Sequence, residues 1–302
     1  MVIHFQRDRF FMPLDAWLHN LGIYCHTSAC DDLDGASDGI ISHISACNAA
    51  FDIASFRCQD GTDAGDTCLS DAQIQAVRLI TSEYKPGVTI AGMDTFPKWP
   101  FLEGAPFQGP SNFGLLRQPS NPITGKEALL YSAGDQTVKF IVTRNPQFDA
   151  MTFDPQEWKD RLSVLGSIMD VTDVSLDGFL SKGGKIILIH GTADDLITPH
   201  NSIAYYQRQL SRYGQDRLDS FLRFYMIPCY GHGFGKFNAK YDSLDALENW
   251  VENGRAPSGL IAVDGNPGAN RSRPMCEWPA WPKFTGNPGT EGASTSYTCV
   301  KG

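Results

Sequence analysis

The stretch Lys185 to Ile197, KIILIHGTADDLI, restricts the fold of this chain more than any other segment. Ile186, Ile187, Leu188 and Ile189 form a short continuous apolar run, the pattern of a strand buried on both faces of a parallel sheet. Gly191 ends the run and delivers Asp194 at the loop. A second run, Leu222 to Ile227, stops at Pro228, and Tyr230-Gly231-His232-Gly233 then carries one imidazole on a glycine-flanked loop beyond the strand end. In open α/β sheets, ligand-binding and catalytic groups gather at such ends.

An acid followed by a histidine, each on a strand-end loop, is the order of the last two members of an α/β-hydrolase Ser-Asp-His triad. Asp194 would be the acid and His232 the base. The first member needs a G-x-S-x-G turn between a strand and a helix, which exposes the hydroxyl and leaves backbone N–H groups for an oxyanion. The only formal match is Gly35-Ala36-Ser37-Asp38-Gly39. No apolar strand precedes it, and its acidic neighbours would oppose an oxyanion, so Ser37 is not read as the nucleophile. Ser111 has neither strand-end geometry nor an oxyanion hole in prospect. Residue by residue, a plainer reading stays open: His232 as a loop imidazole bonded to backbone, and Asp194 as a helix cap.

The chain of 302 residues, 42% of them hydrophobic, can bury a core of one large or two smaller domains. Its formal net charge of −9 argues against a general nucleic-acid binder, and no apolar stretch is long enough to span a membrane. None of the eight cysteines forms a C-x-x-C pair, which disfavours zinc ribbons and thioredoxin chemistry. Disulfides are expected, with Cys30–Cys47, Cys58–Cys68 and Cys276–Cys299 as the short-loop pairings; Cys25 and Cys229 have no assigned partner. Bridges imply a secreted or periplasmic protein. The N-terminus, MVIHFQRDRFF, lacks a signal peptide's apolar region, so the expectation is that a signal-bearing portion is absent from this chain.

Asp31, Asp34 and Asp38 place three carboxylates within eight residues, a density that calls for solvation or a metal. Hard oxygen donors suit calcium better than zinc, although the spacing is not that of an EF-hand. Ser70 and Gln73 predict a capping box that opens a helix over Leu69 to Tyr84, with Ile74, Val77, Ile80 and Tyr84 on one face. The run Lys85 to Gly125 is rich in Pro and Gly and carries Phe96, Trp99, Phe101, Phe107 and Phe113, rings that fill a loop-rich core or line a pocket. Asp154-Pro155-Gln156-Glu157 predicts another helix start, with Trp158, Leu162, Leu165 and Met169 as its buried stripe. Helices are also predicted over Ser202 to Tyr213 and Ser243 to Val251, the second closed by Asn253-Gly254. The tail from Arg255 onward shows no periodicity.

Taken together, these segments resemble the tannase and feruloyl esterase family, which also includes a hydrolase of the hydroxyethyl monoester of terephthalate. CDDLDGASDGIIS is similar to the family's calcium loop, and Cys58 with CLSDAQIQAV to the next lid segment. DVTDVSLDGFLSKGGKIILIHGTADDLITPHNSIAYY, RFYMIPCYGHGFG, LDALENWVENGRAP and RSRPMCEWP are similar to the acid loop, the histidine loop, the following helix and the C-terminal motif. The resemblance implies an α/β fold: the C-terminal part of an α/β-hydrolase, a parallel sheet with flanking helices, plus an inserted loop-rich α/β lid. It implies residues 1–24 as a remnant of the N-terminal hydrolase part, 25–170 as a lid with the calcium loop, and 171–302 as the C-terminal part of the hydrolase.

The resemblance further implies Asp194 as triad acid and His232 as general base; Asp195 stands where the family often has Pro. It implies structural Ca2+ on the carboxylates of Asp31, Asp34 and Asp38 and the carbonyls of Ala36 and Ile40. Many members bridge a Cys after the catalytic His to one before the Ser; here Gly233 takes the first place, and Cys229 stands where Gly is usual. The family's first part, with the serine elbow, is missing from the chain. The expected function is a carboxylic ester hydrolase acting on small aromatic-acid esters by a Ser-Asp-His acyl-enzyme mechanism, the serine being absent from this chain. The alternative is a non-catalytic calcium-binding module or subunit that retains the hydrolase scaffold. His190, at the strand end, reads as a packed neighbour and His200 as exposed, while Asn270-Arg271-Ser272 is a glycosylation sequon.

Overall fold

The computed structural model describes residues 29–65, 67–106 and 119–301. The chain divides into two compact units. The described residues of one lie within Ile53–Trp99 and 119–172; those of the other lie within 29–52, Pro100–Pro106 and 173–301.

In the first unit the helix Asp71–Ile80 opens on the expected capping box. Gln73 N–H donates to Ser70 Oγ at 3.3 Å, and Gln73 Oε1 accepts from Ser70 N–H at 2.6 Å, so two N-terminal amides are satisfied reciprocally. Cys58–Cys68 ties the segment before it. The helix ends at Ile80, short of Tyr84, which pairs in a bridge with Phe96. A small core gathers Val88, Ile90, Val142 and Leu162, with Phe96, Phe153 and Trp158 packed around it. The helix predicted to open at Asp154 begins at Lys159 instead and runs to Met169. Asp154 Oδ1 accepts from Gln156 N–H at 2.9 Å, a local turn that competes with helix initiation, and Met169 is exposed. Helix Leu129–Gln136 continues into a π-helical stretch, Thr137–Val142, where buried Lys139 pairs with buried Asp135 at 2.8 Å.

The second unit is built on a parallel pair, β1 (Ile186–Gly191) and β2 (Leu222–Ile227), in register from Ile186 opposite Leu222 to Gly191 opposite Ile227. The helices Pro199–Tyr213 and Gln215–Asp219 connect them. Parallel strands need such a crossover. Tyr206, Leu218, Phe221, Leu222 and Phe224 form the core beneath it. β1 was expected to be buried on both faces, but Ile186 to Ile189 are only partly buried, because among the described residues β1 is paired along one edge.

Three further strands, β3 (Ala239–Lys240), β4 (Ile261–Asp264) and β5 (Ser272–Pro274), form an antiparallel sheet. β6 (Ala280–Phe284) and β7 (Tyr297–Lys301) form a hairpin that Cys276–Cys299 fixes. The aperiodic tail is therefore strands after all, too short for a period to register. Helix Leu244–Asn253 closes on Gly254 at φ 68°, the left-handed residue that Asn253-Gly254 predicts.

The acidic segment, expected to open the lid, groups with this second unit. Ile41 N–H lies 3.3 Å from Cys229 Sγ, Asp38 Oδ2 is paired with Arg273, and Cys30–Cys47 closes the loop. All three short-loop disulfides expected from the sequence are formed. Among the described residues, no helix is long and apolar enough to cross a membrane.

Candidate active site

β1 and β2 end side by side, and their loops are stitched together by backbone. Thr192 N–H donates to Ile227 O at 2.9 Å and Ala193 N–H to Tyr230 O at 3.0 Å. That approach requires Gly191, because a Cβ there would run into the Tyr230 carbonyl oxygen. The histidine loop folds back on itself: Gly231 N–H donates to Phe234 O at 2.7 Å, and Gly233 takes φ 84°. From behind, Asn266 Nδ2 donates to Gly235 O at 3.0 Å, and Arg271, held by Asp264 at 2.6 Å, donates to Lys236 O.

These loops bring Asp194 and His232 together. His232 Nδ1 lies 3.0 Å from Asp194 Oδ2, and its side chain is 50% exposed. With Nδ1 committed to the carboxylate, Nε2 is the nitrogen left for a reaction partner. Asp194 itself is buried and accepts four hydrogen bonds. Oδ1 takes the N–H groups of Leu196 at 3.0 Å and Ile197 at 2.8 Å; Oδ2 takes His232 and, at 3.3 Å, His190 Nε2. Burial alone would raise its pKa, but the donors from His190, Ile197, His232 and Leu196 outweigh it and hold the carboxyl down at about 2. The carboxylate is thus ionised at neutral pH and able to fix the tautomer of His232 and to balance an imidazolium.

A family model described as tannase and feruloyl esterase matches residues 23–300. The chain belongs to the tannase and feruloyl esterase family. An uncharacterized esterase of Agrobacterium fabrum is 33% identical over 282 residues, covering 90% of this chain and 50% of the relative. The mono(2-hydroxyethyl) terephthalate hydrolase of Piscinibacter sakaiensis is 29% identical, covering 95% of this chain and 52% of that protein. The chain therefore spans about half the length of the curated relatives it matches. Among solved structures, an esterase from Aspergillus oryzae superposes with a TM-score of 0.76 at 25% identity, covering 97% of this chain and 58% of that one. The fold is that of these α/β-hydrolase-type esterases.

Within this family member the acidic loop is tightly wound. Asp31 Oδ1 accepts from Gly39 N–H at 2.7 Å and Asp38 Oδ1 from Ile40 N–H at 3.0 Å. Asp38 Oδ2 is held by Arg273 and by the Tyr297 hydroxyl. Asp34 is sealed in the interior, its oxygens accepting from Ala36 N–H at 3.0 Å and Ser42 N–H at 3.2 Å. Burial pushes its pKa up to about 6, and the Asp38 charge adds to the rise. Among the described residues, no three acidic, histidine or cysteine side chains converge as a ready metal site. The donor chemistry nevertheless suits a hard cation: Asp34 is a buried carboxylate with no basic partner among the described residues, in a loop of carboxylates and carbonyls.

Other sequence expectations fall differently. Ser37 is exposed and follows no strand in the sequence, and Ser111 and Cys25 lie outside the described residues, as do Phe107 and Phe113. Cys229 is disulfide-bonded. Asp195 is buried beside Asp194, but the bond to His232 is made by Asp194. His200 is not the exposed residue expected. Its Nε2 lies 2.6 Å from Oε2 of buried Glu103, whose Oε1 accepts from Asn48 Nδ2 at 2.8 Å. A partner 97 positions away leaves no trace in the local sequence.

Proposed function

We propose that Asp194 and His232 are the acid and base of a carboxylic ester hydrolase acting on esters of aromatic acids, such as hydroxycinnamate or gallate, through a Ser-Asp-His acyl-enzyme. The serine in this reading is contributed from outside the described residues. The observation that carries it is the 3.0 Å bond between His232 Nδ1 and Asp194 Oδ2 on two strand-end loops, with the imidazole half exposed. His232 Nε2 would take the serine proton as the hydroxyl attacks the ester carbonyl, then pass it to the leaving alcohol. The same nitrogen would activate water to release the acid, while Asp194 stays ionised and steadies the imidazolium.

Calcium is our reading of the acidic loop, on the carboxylates of Asp31, Asp34 and Asp38 with the carbonyls of Ala36 and Ile40. It would supply charge to the buried Asp34 and brace the loop. The disulfides among the described residues support an oxidising, exported setting.

The test is hydrolysis of aromatic-acid esters by the protein with its serine-bearing segment present, as wild type and as His232→Ala. A loss of about 10³-fold or more is expected, and retained activity would remove the base assignment. A protein that carries the serine-bearing segment, binds calcium and yet hydrolyses no ester would mark a binding module instead.

A further inference from the structure

Asp194 Oδ2 is shared by two imidazoles, and the mechanism above uses only one. The second, His190, sits at the end of β1 within a polar chain. Its Nδ1 lies 2.8 Å from Ser202 Oγ, on the helix that follows the acid loop. Its Nε2 lies 3.3 Å from Asp194 Oδ2 and 3.0 Å from the Ile197 carbonyl oxygen. Both neighbours of Nε2 are pure acceptors, since a carbonyl has no proton and the Asp194 carboxyl is ionised at neutral pH. Nε2 must therefore carry hydrogen. In the neutral ring Nδ1 is then a bare acceptor, and the Ser202 hydroxyl donates to it. The ring is largely enclosed, at 12% side-chain exposure, so it has little freedom to take another orientation.

We propose that His190 is a positioning residue: with its tautomer fixed by the two acceptors at Nε2 and its ring braced at Nδ1 by the Ser202 hydroxyl, it donates from Nε2 to Asp194 Oδ2 and so holds that oxygen in line with His232 Nδ1. The Leu196 and Ile197 amides fix Oδ1, and His190 fixes the oxygen that faces the base. Ile197 ties the two arms together, because its N–H binds Oδ1 while its carbonyl shares the His190 proton. Without His190 the carboxylate would keep both amide bonds but could swing about them, and the direction of the Asp194–His232 bond would relax. The catalytic meaning of this arrangement rests on the proposed function; the hydrogen-bond relay itself does not.

The test is long-range 1H–15N NMR of the histidine rings in the folded chain at neutral pH, which needs no substrate. His190 is expected with its proton on Nε2, and a proton found on Nδ1 alone would overturn the proposal. Ser202→Ala, which leaves the ring and the helix in place, should keep the His190 proton on Nε2 but free the ring at Nδ1 and shift the His232 Nδ1 proton resonance. His190→Leu should shift that resonance further. His190→Gln, whose amide can still donate to Asp194, should return it towards the wild-type position. A His232 signal that is the same in wild type, Ser202→Ala and His190→Leu would overturn the proposal whatever the hydrolysis rates. With an aromatic ester as substrate, His190→Leu should lower kcat about tenfold or more with KM little changed, and His190→Gln should restore most of the loss. If the resonance responds as expected while the protein with its serine-bearing segment present hydrolyses no ester, the positioning stands and the catalytic reading of the site fails.

Discussion

Asp194 and Asp34 are both nearly sealed from solvent, at 5% and 1% exposure, yet their acidities are driven in opposite directions. Asp194, at the strand-end site, is held at about 2, and Asp34, in the acidic loop, is pushed up to about 6. Burial opposes ionisation at both places. The difference lies in the donors: Asp194 receives two imidazoles and two backbone amides, whereas Asp34 has amides but no positive partner, and a like charge stands nearby at Asp38. A carboxylate that must act on a histidine is finished by its own chain. One that lacks a cation is open to receive it from solution, which is why calcium is proposed for one region and not for the other.

The most severe way to break the comparison is to empty the strand-end site. Asp194→Asn keeps the shape of the side chain but removes the charge that faces His232, and an ester hydrolase should lose about 10⁴-fold in kcat. A loss of less than tenfold in an ester assay would mean that Asp194 does no more than cap the following turn. Next in size is Arg273→Ala in the acidic region. It strips the basic partner from Asp38 and should cost about 3–5 kcal/mol in denaturant unfolding. Calcium should recover part of that loss, and an identical loss with calcium and with chelator would separate Asp38 from any cation site.

Acid and base titrations of stability sharpen the same contrast. The Asp34 pKa is raised on folding, so its contribution is full below about pH 4 and is lost as pH rises through about 6. In chelator this should remove about 3 kcal/mol of stability. The Asp194 pKa is depressed, so its contribution of about 2–3 kcal/mol is present above about pH 4 and is lost as pH falls towards 2. Calcium should abolish the first loss and leave the second unchanged; melting curves from pH 2 to 8 with and without the ion would show it. The smallest expected effect is a control in the other unit. Ser70→Ala breaks the capping box of Asp71–Ile80 and should lower stability by about 1 kcal/mol, independently of calcium.

Much of the strand-end site was legible because its signals are local. An apolar run, a terminating glycine and an acid are contiguous from Ile186 to Asp194, and Tyr230 to Gly233 repeats the logic around His232. The Ser70 box and Gly254 closure are likewise encoded within one turn of helix. What escaped the sequence is set by partners far along the chain. His190 looked like packing because its role depends on Ser202 and Asp194 together, and His200 looked exposed because Glu103 is 97 positions away. β6 and β7 are recognisable only as a pair, Trp281 opposite Val300 and Pro282 opposite Cys299, with no alternation in either strand to mark it beforehand. The false helix start at Asp154 has the opposite cause, a strong local turn that satisfied the Asp side chain before the helix began.

Fluorophosphonate labelling of the wild-type and His232→Ala proteins, with mass-spectrometric mapping of any modified serine, tests the central claim most directly. Such a probe reports an activated nucleophile without presuming a substrate. No described serine is expected to react, Ser37 included, and any labelling elsewhere should vanish in His232→Ala. A described serine that takes the label, or labelling indifferent to His232, would contradict it.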